Sequence, residues 1–369
     1  MGYVVSNVAV QKEAVKLEAY FERFQRVKGR NLALFTRQFA TMINSGLSLT
    51  RCLGILSDQT ESPALGRTIK TVLQDVEGGS SLSEALEKHP KVFSELYVSM
   101  VKAGEAGGIL DDVLLKISDS LEKSEELKRK VKTAMAYPIL MFCMSLVLVF
   151  VMITFIVPIF ANMFKTLGGE LPLPTQILVS LSNVIRSYWF IGIPLIVLVV
   201  YGIRRALRVG SVKYQFDRFK LRMPIVGKVS REMALSRFSR TLGVLTAAGV
   251  PILEALEVVE KAVGNLIIGE EVSRVRVRVK EGETVAKPLE KGKVFPPMVV
   301  QMIGVGEESG ALDTMLLRIA DFYDKEVTAA VDALTSLIEP LMIVVVGLVV
   351  GGILISLYLP MFRLASLIK

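Results

Sequence analysis

One histidine, two cysteines and one tryptophan are all that this chain of 369 residues holds of those types. Cys52 and Cys143 stand far apart, so neither a disulfide framework nor a metal-ligand spacing is available. His89 sits in "EKHPKVF", which reads as a solvated loop, and without a second histidine no Ser/His/Asp arrangement or zinc motif can be assembled. The N-terminal "MGYVVSNVAV" has no basic stretch and no long apolar core, so no signal peptide is expected. Gly2 and Ser6 match an acylation pattern too short to carry weight.

Nucleotide sites are missing as well. "GNLIIGEEV" at 264–272 has the glycine spacing of a P-loop, but Glu270 stands where lysine is needed and would repel phosphate. "GVGEESG" at 304–310 fails the dinucleotide fingerprint because Ser309 replaces its third glycine. No enzyme and no cofactor is expected.

Apolar sequence, by contrast, is abundant: 51% of residues are hydrophobic, yet 22% are charged. Segregation reconciles the two, with membrane spans set between charged domains. Residues 133–164 carry no charge, nor do 340–362. Twenty-three helical residues reach roughly 35 Å, more than a hydrocarbon core of about 30 Å. Both stretches are read as transmembrane helices. A shorter run, "SYWFIGIPLIVLVVYGI" at 187–203, is either a third span bounded by Arg186 and Arg204 or a buried soluble helix. The formal charge of +8 is attributed to membrane topology rather than to nucleic acid, because much of it flanks these runs.

An internal duplication decides the third span. "VKAGEAGGILDDVLLKI" at 101–117 returns as "IGVGEESGALDTMLLRI" at 303–319. Phe35, Arg37, Gly46 and Gly79 recur as Phe238, Arg240, Gly249 and Gly282 at an offset of 203. From Phe93/Phe295 the offset is 202, and it persists through Pro138/Pro340 and Pro158/Pro360. The repeated unit is therefore a charged module followed by a span. Two like modules should sit in the membrane the same way round, so one helix must bring the chain back between them, and only 187–203 can. Lys123, Lys128, Arg129, Lys130 and Lys132 before the first span, and Arg204, Arg205, Arg208, Lys213, Arg218, Lys220 and Arg222 after the second, put both modules in the cytoplasm.

The expected division is an N-terminal segment 1–30 on the cytoplasmic side, module 31–132, span 133–164, extracytoplasmic loop 165–186, span 187–203, module 204–339, span 340–362 and an outer tail 363–369. Helical spacing dominates both modules: Leu110, Val113, Leu114, Ile117 and Leu121 form one stripe, Leu312, Met315, Leu316, Ile319 and Tyr323 the other. The strand-like "SRVRVRVKE" at 273–281 is read as helix because its counterpart at 67–78 is helically spaced. The class is thus an all-α membrane protein with two homologous helical bundles and three spans. Gly46, Gly249, Gly108 and Gly310 are read as helix stops. The phrase around Glu105 and Glu307 fits a tight helix–helix corner, and a binding role for the two carboxylates stays open.

"LFTRQFATMINSGLSL", "SRFSRTLGVLTAAGVPI", "GEAGGILDDVL", "GEESGALDTML" and, most specifically, 130–160 with Tyr137, Pro138 and Pro158 carry a resemblance. From about residue 31 onward the chain resembles the polytopic inner-membrane platform proteins of bacterial type IV pilus and type II secretion machines, the secretion F family. The resemblance implies a multi-pass protein of the bacterial inner membrane, surrounded by membrane lipid and assembled as a homo-oligomer. Its implied partners are a hexameric cytoplasmic assembly ATPase, pilin or pseudopilin subunits and other inner-membrane assembly proteins, with no nucleic acid. Candidate interaction or structural residues are Arg37, Gly46, Glu105, Gly108, Tyr137, Pro138 and Pro158, with Arg240, Gly249, Glu307, Gly310, Pro340 and Pro360 in the second copy. The competing reading is a small transporter or channel component. Its weakness is that the spans carry no charge.

Overall fold

The computed structural model describes residues 27–166, 171–207, 209–223, 226–292 and 294–367, and among them it is helical with no strand. Module 1 comprises α1 (Gly29–Asn44), α2 (Leu49–Gln59), α3 (Pro63–Glu77), α4 (Leu82–Glu87), α5 (Glu95–Gly107) and α6 (Leu110–Ala134). The chain continues as α7 (Ala136–Val151), a π-helical turn (Met152–Ile156) and α8 (Val157–Thr166). Next come α9 (Leu173–Ala206) and α10 (Gly210–Arg222). Module 2 is α11 (Val226–Ala247), α12 (Ile252–Ala262), α13 (Leu266–Lys280), α14 (Ala286–Glu290), α15 (Pro297–Ser309) and α16 (Leu312–Leu367). Residues 1–26, with Gly2 and Ser6, lie outside the described residues, and so do 368–369 of the tail.

The duplication is reproduced helix by helix. α2 and α12, and α3 and α13, have the same limits once shifted by 203; α5 and α15 coincide at 202, as do the starts of α6 and α16. "SRVRVRVKE" begins within α13 and is helical through Lys280. Local chemistry sets the ends. Gly108 and Gly310 close α5 and α15 at φ +68° and +71°, a left-handed geometry that a β-carbon disfavours. Asp111 and Asp313 then sit in the next helix's first turn, where the positive end of the dipole favours them.

Equivalent residues build both cores. Phe35 meets Phe93 in module 1 at 6.4 Å between ring centroids, and Phe238 meets Phe295 in module 2 at 4.8 Å. All four are buried, each side chain contributing roughly 1.5–3 kcal/mol by leaving water. The repeats also trade parts. Gly29 occupies the place of Glu232, and a β-carbon there would fall 2.2 Å from Oε1 of Glu125. In module 2 the Glu125 position is taken by buried Val327. The carboxylate thus comes from a different helix in each copy.

Tight helix corners follow the repeated phrase. A β-carbon on Gly306 would lie 3.0 Å from Cα of Leu312, and one on Gly104 would lie 3.0 Å from Cβ of Val113. Gly306→Val should therefore destabilise the protein by about 1–3 kcal/mol through overpacking, measurable as lost thermal stability in detergent. Gly347→Val, with open space around its β-carbon, should leave stability nearly unchanged.

The apolar runs make long helices. Leu110–Met163 and Leu312–Leu359 are long and apolar enough to cross a bilayer, and Leu173–Ala206 adds a third if its bent halves form one span. The two long helices run side by side in the same direction. At the near end the Tyr137 hydroxyl lies 3.4 Å from Oε1 of Glu339, its equivalent at offset 202. At the far end Met152, Ile153 and Val157 share an apolar cluster with Ile353 and Leu357. α9 starts at that far end, where the Thr175 hydroxyl donates to the Ser356 carbonyl. By Asp217, which accepts from the Leu266 amide at 3.1 Å, the chain is back against module 2. Both modules lie at one end of the paired helices.

Two expectations need correction. The loop assigned to 165–186 is largely helix, since α9 begins at Leu173 with Pro172 as its N-cap and Pro174 in its first turn. "TQILVSLSNVI" is apolar and helix-compatible; Arg186 set too late a start for that run. α9 then bends by 62° between Leu173–Tyr188 and Phe190–Ala206. Pro194 supplies the cause, because it lacks an amide hydrogen and its ring crowds the carbonyl of Phe190. His89 is only half exposed, and its Nε2 is buried without a hydrogen-bond partner.

Candidate functional site

The modules face each other across an open cleft of about 550 Å³. α5 and α6 supply one wall, and α11, α12 and α16 the other. Three polar contacts tie the walls together: Lys123 Nζ to Oδ1 of Asp321 at 2.8 Å, Lys116 Nζ to the Ala247 carbonyl at 2.9 Å, and Lys261 Nζ to Oε1 of Glu95 at 2.6 Å. Exposed ion pairs of this kind each contribute little.

Arg37 and Arg240 prove to be brackets within their own modules. Arg37 donates through Nε and Nη2 to both oxygens of Glu122, each at 2.8 Å, and also bonds Asp119. Arg240 bonds Oδ1 of Asp321 at 3.0 Å and Oδ2 of Asp324 at 2.5 Å, while Ser236 donates to the other Asp324 oxygen. Asp119 and Glu122 become Asp321 and Asp324 at offset 202, so the same triangle is built twice. These acids were missed in the sequence, although the shared offset of four carboxylates one helical turn apart would have found them.

The two triangles differ in environment. The Arg240 side chain is 8% exposed and Arg37 is 33% exposed. Burial of Asp321 opposes its ionisation, but hydrogen bonds from Lys123 and Arg240 outweigh it and hold the carboxyl below its ordinary range. The Arg37 hydrogen bonds lower Glu122 in the same sense. Asp321 touches both Lys123 and Arg240, so it joins the module 2 bracket to the inter-module contact.

Glu105 and Glu307 have equally defined partners. The Glu105 carboxylate accepts from the amides of Leu82 at 2.6 Å and Ser83 at 2.9 Å. Glu307 accepts from Val285 at 2.5 Å and Ala286 at 2.8 Å. Each therefore satisfies orphan amides at the start of a short helix, α4 or α14, and pins that helix to α5 or α15. The carboxylate also favours the positive helix end.

The remaining motif residues lie away from the cleft. Gly46 and Gly249 turn the chain after α1 and α11 with positive φ, as Gly108 and Gly310 do after α5 and α15. Tyr137 and Pro138 stand at the base of the first long helix, where α6 stops at Ala134, the residue whose carbonyl the Pro138 ring disfavours. Pro158 follows the π-helical turn and cannot donate a helical hydrogen bond back to it. Pro340 and Pro360 lie within α16, which runs through both.

A family model described as "Type II secretion system (T2SS), protein F" matches residues 35–158 and 238–360, one repeat each. The type IV pilus assembly protein PilC of Myxococcus xanthus is 46% identical, across 94% of this chain and 83% of its own length. PilC of Thermus thermophilus is 41% identical, across 98% and 90%. The type II secretion system protein F of Xanthomonas campestris is 36% identical, across 91% and 83%.

Proposed function

The chain belongs to the type II secretion system protein F family, and on that premise we propose that it is the inner-membrane platform of a fibre-assembling machine. Its modules face the cytoplasm and receive a hexameric assembly ATPase. Movement of the modules is passed to the membrane helices, beside which pilin or pseudopilin subunits leave the bilayer for the growing fibre. The protein works as a homo-oligomer alongside other inner-membrane assembly proteins.

The observation that carries this reading is the pairing of two homologous modules at one end of two parallel helices, each helix continuing from a module towards the membrane. A docking surface of that design suits a receiver of mechanical work. The widely open cleft, bridged by exposed contacts that each contribute little, leaves the modules room to shift against one another. The pilus reading is favoured over secretion by the higher identity to the PilC relatives.

Deleting the gene should abolish surface fibres, and the tagged protein should co-purify with an ATPase of that class. Solute uptake into liposomes holding the purified protein should not rise above protein-free liposomes. Intact fibres in the deletion strain, or solute flux without an ATPase, would replace this reading with the transporter.

A further inference from the structure

α10 carries an apolar stripe that stays exposed among the described residues. Val212, Phe216, Phe219 and Met223 recur at intervals of four, three and four residues and so share one helical face. All four are exposed, Phe219 by 60%. The opposite face is committed to module 2, through Asp217 on the Leu266 amide and Leu221 against the core. By helical geometry Arg222 borders one side of the stripe, and Lys213 and Lys220 the other. Nζ of Lys220 rests 4.5 Å from the centre of the Phe216 ring. Asp217 is the one acid in the helix, and it is buried.

Position completes the pattern. Only residues 207–209 separate α10 from α9, whose last turn holds Arg204 and Arg205 after the exposed apolar run that ends at Ile203. α10 therefore starts where a span would leave the hydrocarbon. A helix with an apolar face, cationic borders and a tether at the interface has the features of one that lies in the headgroup plane. Cations near such a surface are drawn to anionic lipid.

We propose that α10 is an interfacial helix that seats module 2 on the bilayer surface, with its stripe among the upper acyl chains and its three bordering cations on anionic lipid phosphates. This rests on reading α9 as a membrane span. Three bordering cations, two of them lysines of the kind that protein interfaces disfavour, and no exposed acid in the helix favour a phosphate surface.

The test uses the full chain with its one tryptophan replaced, Trp189→Phe, and single reporters Phe219→Trp, Val199→Trp or Leu34→Trp. Each is placed in bilayers of brominated phosphatidylcholine with or without phosphatidylglycerol. Phe219→Trp should be quenched by the bromolipid when phosphatidylglycerol is present, as Val199→Trp is in either bilayer, while Leu34→Trp on module 1 is not. Arg222→Gln or Lys213→Gln should each weaken docking by about fivefold, read as lost quenching of Phe219→Trp. If Phe219→Trp stays as open to iodide as Leu34→Trp, the stripe lies in water and the proposal falls. If it is shielded from iodide but not quenched by bromolipid, a protein surface covers it and the proposal falls too. If Val199→Trp is also unquenched, the span reading itself has failed and takes α10 with it.

Discussion

Arg240→Ala should lower stability by about 2–3 kcal/mol, whereas Arg37→Ala should cost less than about 1 kcal/mol. The two arginines occupy equivalent repeat positions and bond equivalent acids, so chemistry alone would predict equal effects. Burial separates them. Removing Arg240 leaves Asp324, whose side chain is 22% exposed, with Ser236 but no cation, and withdraws one partner from Asp321. Asp119 and Glu122 reach water when Arg37 is removed. Half-exposed Asp321 keeps the figure for Arg240 below the range for a fully enclosed pair. Chemical unfolding of the two variants in detergent measures the difference, and equal losses would show that burial is not what ranks them.

The same bracket has a pH signature. The carboxyl of Asp321 is held below its ordinary range in the folded protein, so the folded state binds its proton less readily than the unfolded chain does. Its contribution is complete above the unfolded aspartate range and fades as pH falls through the lower, folded value. Wild type should lose its advantage over Asp321→Asn in acid, while the gap at neutral pH stays constant.

Glu307→Ala should be the most damaging change outside the aromatic core, at about 2–4 kcal/mol, with Glu105→Ala close behind. Each carboxylate accepts two charge-assisted hydrogen bonds of roughly 1.5–3 kcal/mol apiece, part of which water restores once the side chain is gone. α14 is the more exposed to this loss because it has no side-chain cap of its own. α4 retains Ser81, which accepts from the Glu84 amide in a capping box. Glu307→Gln should fall midway, since the amide oxygen can keep one bond and its NH2 group cannot replace the other. The readouts are hydrogen exchange at Val285 and Ala286 and the midpoint of unfolding. If Glu307→Ala unfolds normally yet no longer retains an ATPase, the carboxylate faces a partner and the capping role is wrong.

How far residues could be read forward depended on the range of the interaction that fixes them. The helix limits in the modules were legible because capping is local: Gly108 and Gly310 stop helices, and Asp111 and Asp313 start them, within a few positions. The parallel long helices followed from the duplication, which is visible without any contact map. The acids Asp119 and Glu122 leave a trace in the repeat offset, but their pairing with Arg37 across 82 to 85 residues, and that of Glu105 with amides 22 to 23 residues away, was not legible. The early start of α9 was missed because charge marked the span at Arg186, while backbone hydrogen bonding carries helix beyond any such mark. The stripe on α10 escaped for another reason. Its cations were counted for orientation, and the phenylalanines between them were not placed on a face.

α16 runs for 56 residues without a change of helix type, roughly 84 Å end to end. Its counterpart is jointed twice, at Met135 above Pro138 and at the π-helical turn before Pro158. The two arms of the molecule are consequently one unbroken helix that absorbs Pro340 and Pro360, and one whose hydrogen-bond ladder is interrupted twice. Each interruption leaves backbone groups without a regular helical partner, so the arm of module 1 has two places to yield where α16 keeps one ladder throughout.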